Sequence, residues 1–432
     1  MEKKKTKLVE KKFLVPFILI TSLFALWGFA NDITHPMVAA FQTLMEFSVA
    51  KSSLIQLAFY GGYATMAVPA ALFIRKYSYK SGILLGLALY AVGAFMFIPA
   101  AAYQNFSFFC ISLYVLTFGL AFLETTANPL ILSLGDPQTA TQRLNMAQAF
   151  NPIGALSGMS VAALVVLPNL LSDKRNAAGE IIYHTLSEAE KANIRLHDLA
   201  TIRDPYVMLG MLVLVVFAII AFTKVPQTRG EGVKVKKSIT LTRLWKNKLY
   251  RSGVVAQIFY VGAQIMVWTF IIQYADRLGL DKATAQKYNI IAMSLFLVSR
   301  FVSTYLMRHI SSRRLLMYFG IGACITTLGA ILLHSKAGLY SLVATSTFMS
   351  LMFPTIYGIA LEDVKGEDTT LGAAFLVMAI VGGAVIPPLQ GAIIDLGTIG
   401  GMPAVNLSFT LPLICFAVVA RYGWLTAKSQ HQ

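Results

Sequence analysis

Residues 224–251 read KVPQTRGEGVKVKKSITLTRLWKNKLYR, with nine Lys and Arg against the single acid Glu231. On either side the chain is a series of long, charge-poor apolar runs. A bilayer core roughly 30 Å thick takes about 20 apolar residues per helical span. Such runs fall at 13–38, 53–74, 82–102, 106–133, 145–168 and 206–223 before the basic stretch, and at 252–275, 286–307, 315–334, 338–360, 371–394 and 404–425 after it. Six spans on each side predict an all-α polytopic membrane protein of 12 transmembrane helices in two six-helix bundles. The halves are residues 1–223 and 252–432, joined by a linker at 224–251 whose basic character suits anionic lipid.

Composition supports lipid as the solvent. Only 13% of residues are charged and mean hydropathy is +0.66, against about 25% charge in soluble domains. The net charge of +16 raises nucleic acid as a partner, but its distribution does not fit one. With strict alternation across the membrane, 25 Lys and Arg fall on one side and 10 on the other, with Arg300 inside a span. Positive residues stay cytoplasmic, so both termini are expected inside, with lipid rather than nucleic acid as the large partner. The first apolar run is too long for a signal-peptide core and is expected to remain as the first span.

Cys110, Cys324 and Cys415 lie in apolar runs without metal-ligand spacing and read as packing residues. The long connection at 169–205 falls on the less basic side. It contains Ser187-x-x-Glu190, a capping-box pattern that predicts a short surface helix. Arg75-x4-Lys80 and Arg308-x4-Arg313 stand 233 residues apart. Two readings are open: an internal repeat, as in many secondary transporters with a site at the repeat interface, or two basic turns obeying the same charge rule.

Polar groups deep in spans carry the functional reading, because an intramembrane charge is costly and needs a partner, a wet cavity or a task. In the first span Trp27, Asn31 and His35 recur every four residues, with Asp32 beside them, and so form one wall. The fourth span carries Glu124, a candidate proton-handling acid, with Asn128 one turn on. Pro129 there removes a backbone donor and frees the Thr125 carbonyl. The fifth repeats the device: Gln148 and Asn151 share a face, and Pro152 frees the Gln148 carbonyl. In the seventh, Gln257, Tyr260, Gln264 and Trp268 form a polar-aromatic stripe. Amides both donate and accept, which suits sugar hydroxyls, while aromatic faces suit the apolar faces of a sugar ring. Interhelical hydrogen bonding and packing are the competing roles for each of these residues. Arg300 reads as snorkelling or paired near the inner surface, and Gly382, Gly383, Pro387 and Pro388 as a kink in the eleventh span.

An embedded enzyme would need a nucleophile with its base or clustered metal ligands. Of six histidines only His35 sits deep in a span, so neither an enzyme, a metal nor a cofactor is expected. A channel would favour repeated pore motifs over two dissimilar polar halves. A sugar sensor that binds without accumulating remains a rival of the transporter reading.

At Trp27-Gly-Phe-Ala-Asn-Asp32, Leu123-Glu124-Thr-Thr-Ala-Asn128-Pro129, Arg143-Leu-Asn-Met-Ala-Gln148-Ala-Phe-Asn151 and Tyr260-Val-Gly-Ala-Gln264, the chain resembles the fucose:proton symporter family of the major facilitator superfamily. The likeness continues through Arg75-Lys76-Tyr-Ser-Tyr-Lys80, Phe353-Pro354-Thr355 and Phe375-Leu-Val-Met, over nearly the whole length. It implies the major facilitator fold, a central cavity, alternating access and a monomeric carrier in the bacterial inner membrane. The expected cargo is L-fucose, or another hexose or hexosamine such as glucose, galactose or N-acetylglucosamine, with the proton as coupling ion. The family glutamate of the fourth helix maps onto Glu124, and the polar pair of the fifth onto Gln148 and Asn151. The family's first-helix acid aligns with His35, an acid standing one turn earlier as Asp32. Either Asp32 has taken the role, or Asp32 and His35 titrate as a pair, or the site takes a different sugar. Phe353 stands where some relatives carry a tyrosine, one sugar hydrogen bond fewer.

Overall fold

A computed structural model describes residues 8–46, 54–174, 176, 182–223, 237–280, 282–365, 367–394 and 396–428. Within its helices the side chains of 35–39, 42, 54, 56, 57, 163, 237–240, 272, 276, 282–284, 286, 367 and 388 lie outside the description. The first half supplies Leu14–Leu44, Leu54–Lys76, Tyr79–Phe95 continued by Phe97–Ala102, Phe106–Ser133, the pair Ala140–Gln148 and Asn151–Val161, and Glu188–Phe222. The second supplies Lys248–Arg277, Lys282–Leu306, Ser312–Leu332, the pair Lys336–Met349 and Met352–Leu361, a broken segment from Glu367–Met378 to Pro387–Ile394, and Ala404–Ser408 with Thr410–Lys428. These are spans one to twelve. Among the described residues eleven helices are long and apolar enough to cross a membrane. The remaining span, Leu54–Lys76, has 23 residues, about 35 Å of helix.

The interruptions have local causes. The fifth span breaks just before Pro152 and the tenth just before Pro354. The eleventh tightens to a 3-10 turn at Ala379–Val381 and breaks again before Pro387, the kink its Pro/Gly cluster predicts. The capping box at Ser187 and Glu190 forms, but it opens the sixth span itself rather than a separate surface helix. That span starts 18 residues earlier than the apolar run suggests and passes through Pro205. Leu199 and Ile202, both buried, hold the extra turns against the bundle, which outweighs the hydrogen bond that proline removes. Of the linker, 224–236 lies outside the described residues, and Lys237–Lys246 is a helix whose Arg243 pairs with Asp368 at 2.9 Å.

The two basic turns play one structural part. Lys80 Nζ donates to the carbonyls of Ala221 and Thr223, both at 2.8 Å, at the end of the sixth span. Arg313 Nη1 donates to the Thr426 carbonyl at 2.8 Å, at the end of the twelfth. Each position thus satisfies terminal carbonyls of the last helix in its own half, which favours the repeat over coincidence.

Spans one and five pack at backbone contact through a Gly-xxx-Gly pair. A Cβ on Gly154 would stand 1.8 Å from the Ala25 carbonyl oxygen, and one on Gly158 2.6 Å from that of Phe29. The halves meet toward the face that carries Arg75 and Arg308, called here the basic face. There Asn145 Nδ2 donates to Thr355 Oγ1 at 3.1 Å and Gln142 Nε2 to the Thr304 carbonyl at 3.0 Å. Tyr79 and Thr370 hydroxyls lie 3.4 Å apart. Gly358 comes so near the other half that a Cβ would meet Thr141 Oγ1 at 2.7 Å.

Candidate functional site

Further along the same helices, away from the basic face, the halves part around a cavity of about 120 Å³. That is room for several waters or a small polar solute. Eight of the residues singled out from sequence line it: Trp27, Asn31 and Asp32 from the first span, Glu124 from the fourth, Gln148 and Asn151 from the fifth, Gln264 and Trp268 from the seventh.

Several of them are held by named neighbours. Asn31 Nδ2 donates to Asp32 Oδ2 at 3.3 Å, and Asn151 Nδ2 to the Phe24 carbonyl at 3.2 Å across the tight pairing of spans one and five. Trp268 Nε1 donates to Ser346 Oγ at 3.2 Å and its ring meets Phe296 edge-on, so the indole keeps one orientation. Trp27 is fixed against Phe24. Glu124 is only 7% exposed, and its Oε2 is buried without a hydrogen-bond partner. A buried carboxylate oxygen without a protein partner at the cavity wall is a group placed to take a proton or a donor.

Three expected contacts stand behind the wall instead. Asn128 is fully buried, and its carbonyl oxygen accepts from Gln148 Nε2 at 2.9 Å, so it orients that amide rather than facing the cavity. Tyr260 spends its hydroxyl on the Met349 carbonyl at 3.0 Å. Gln257 is buried with both side-chain polar atoms unpartnered, outside the lining. The seventh-span stripe covers about three turns of its helix, while the cavity reaches only its Gln264 and Trp268 part. His35 lies on the first span, and its side chain is outside the described residues.

Among the other lining residues four bear on the chemistry of the site. Tyr60 and Tyr63 come from the second span, Tyr60 near Asp32 and Tyr63 near Glu124. Phe353 presents a ring without a hydroxyl. Of the two readings of Arg300, snorkelling or paired, the structure has the second, and it places the pairing in the cavity wall. Arg300 is 3% exposed, lies over the Phe296 ring at 4.7 Å, and donates through Nη1 to the Gln148 carbonyl at 3.2 Å. That acceptor is the one Pro152 releases from the helix ladder. The second half therefore hands a guanidinium to a carbonyl of the first.

The electrostatic balance of the lining is simple. Among the described residues it holds two acids, Asp32 and Glu124, and one base, Arg300. With both acids ionised, one negative charge is uncompensated, and a single proton cancels it. No group of three or more His, Cys, Asp or Glu among the described residues is placed to hold a metal.

Comparison with known proteins fits this architecture. Residues 13–388 match the Major Facilitator Superfamily model. The chain is 63% identical to the L-fucose-proton symporter of Haemophilus influenzae, over 98% of this chain and 99% of that one. It is 33% identical to the L-fucose-proton symporter of Escherichia coli K12, over 97% and 95%. The crystal structure of the transporter FucP in the outward conformation superposes with a TM-score of 0.86 at 31% identity, covering 96% of this chain and 99% of that one.

Proposed function

The chain belongs to the Major Facilitator Superfamily, and we infer that it is a proton-coupled symporter that carries L-fucose across the bacterial inner membrane by alternating access. The observation that carries this reading is a polar, aromatic-walled cavity, between two halves of a symporter fold, whose charge one proton neutralises.

In the proposed cycle the basic face is cytoplasmic, both termini are inside, and the arrangement closed at that face is the outward-facing state. Halves 1–223 and 252–432 move as bodies about the linker at 224–251, and one chain is the working unit. Glu124, with its unpartnered oxygen, takes the proton, and Asp32 shares the site's negative charge. The sugar lies between Trp27 and Trp268, with Asn31, Gln148, Asn151 and Gln264 to its hydroxyls. The ionised, empty carrier switches reluctantly because its uncompensated charge would be enclosed in low dielectric. Proton and sugar together remove that penalty and the inter-half contacts at the basic face give way.

The test is pH change in a weakly buffered suspension of energy-depleted vesicles as L-fucose, D-galactose, D-glucose and N-acetylglucosamine are added in turn. Alkalinisation by L-fucose, absent in Glu124→Gln, is expected. Alkalinisation by another sugar alone would reassign the cargo, a result to which the bare ring of Phe353 lends interest. No response to any sugar from inserted protein would overturn symport.

A further inference from the structure

A second cavity lies on the flank of the first bundle. It is a groove of about 780 Å³ between the fifth and sixth spans, floored by Ala25, Leu26 and Phe29 of the first. These three sit on the side of that helix turned away from Trp27 and Asn31. The groove opens sideways, because Val165, Met208 and Leu212 on its edges are half exposed or more. The fifth span forms a π-helical turn at Ala162–Val166 beside it, a local widening of the helix of the kind that recurs at functional sites.

The lining changes character with depth. Along the sixth span His197, Thr201, Asp204, Met208 and Leu212 all line it, at spacings of four, three, four and four residues that keep them on one helix face. The first three are polar and lie in the turns before the apolar run. The last two are within it. On the facing wall Asn169 stands at the polar end and Val161 and Ile153 deeper. A polar mouth over an apolar slot, at the depth where headgroups give way to hydrocarbon, has the profile of a membrane lipid. Left empty in a bilayer, such a slot would forfeit dispersion contacts on every wall.

The mouth selects the head. Asp204 of the lining accepts from Arg203 Nη2 at 2.6 Å and Nε at 2.8 Å; its carboxylate remains 60% exposed, and Arg203 stands beside the lining. An adjoining carboxylate and guanidinium complement a zwitterion: an ammonium with N–H donors for the acid, a phosphate for the base. A quaternary ammonium has no N–H to give. The geometry points to one bound phosphatidylethanolamine, acyl chain in the groove and headgroup on Asp204 and Arg203. Its chain supports the back of the helix whose front carries Trp27 and Asn31.

Native mass spectrometry of detergent-purified protein tests this, with phosphatidylethanolamine, phosphatidylcholine and phosphatidylglycerol of one acyl composition supplied in equal amount. The parent should retain one phosphatidylethanolamine per chain with about tenfold preference over phosphatidylcholine, the worth of one charge-assisted hydrogen bond. Asp204→Asn should still hold lipid but without that preference. Ser157→Trp, which fills the groove midway, should hold none. Equal retention of all three lipids by the parent, or unchanged retention by Ser157→Trp, would mean only general detergent-belt lipid and would overturn the site.

Discussion

Arg300 Nη1 lies 3.2 Å from the main-chain oxygen of Gln148, joining the eighth span to the fifth across the line where the halves part. The same guanidinium is the only base among the described residues lining the central cavity. It therefore acts on charge balance and on the seam between halves at once. Arg300→Ala leaves two negative charges where the parent has one. The proton:sugar ratio, read from paired pH and radiolabelled uptake traces, should move from about one toward two, with slower uptake. Arg300→Lys keeps the charge but loses the planar fork, so its ratio should stay at the parent value while apparent sugar affinity falls.

Removing either acid makes the lining neutral without a proton. Asp32→Asn and Glu124→Gln should each let sugar equilibrate across vesicles while losing sugar-driven alkalinisation. The double variant leaves Arg300 uncompensated and should be slower than either single one. Equal alkalinisation by Asp32→Asn and the parent would remove Asp32 from the coupling site.

The approach of Gly358 to Thr141 leaves no room for a side chain in the arrangement closed at the basic face. Overpacking costs about 1–3 kcal/mol, so Gly358→Val should shift the population away from that arrangement by roughly five- to a hundredfold. Labelling of a cysteine introduced at Thr355 from the basic face should become faster.

Gly154 tests packing without lining the central cavity. Its Cβ would fall 1.8 Å from the Ala25 carbonyl oxygen, so even Gly154→Ala must separate spans one and five. A loss of about 1–3 kcal/mol is expected, visible as a lower Tm in detergent.

At the opposite face Glu46 joins the end of the first span to Lys191 at 2.9 Å and His184 at 3.2 Å. The Lys191 hydrogen bond first, then that of His184, holds its carboxyl below the usual carboxylate range. A carboxylate lowered in the folded state stabilises above its unfolded value, near pH 4, and that contribution is lost as pH falls through the lowered one. Acidification below about pH 4 should loosen the 182–198 segment. Proteolysis there should quicken, and Glu46→Gln should remove the pH dependence.

Much of this was legible because lipid makes polar residues conspicuous. Glu124, Gln148 and Asn151 stand out in apolar runs, and Pro152 announces a free carbonyl. Tyr60 and Tyr63 do not stand out, since tyrosines fill membrane helices for packing alone and only the fold turns these two inward. Arg300 stayed open between snorkelling and pairing because position in a span gives the depth of a backbone, not the direction of a long side chain. Gln257 and Tyr260 share a stripe with Gln264 and Trp268, yet a helix face is longer than the cavity it borders. The sixth span's early start was hidden because its added turns are polar on one side and take their stability from Leu199 and Ile202.

A joint whose acceptor is main chain is indifferent to the residue that bears it. Gln148→Ala would erase an amide from the pocket and leave the carbonyl available to Arg300. Pro152→Ala would restore the amide hydrogen that competes for that carbonyl and leave the pocket amide in place. Ligand recognition and the hold between halves, though they meet at one residue, are thus genetically separable.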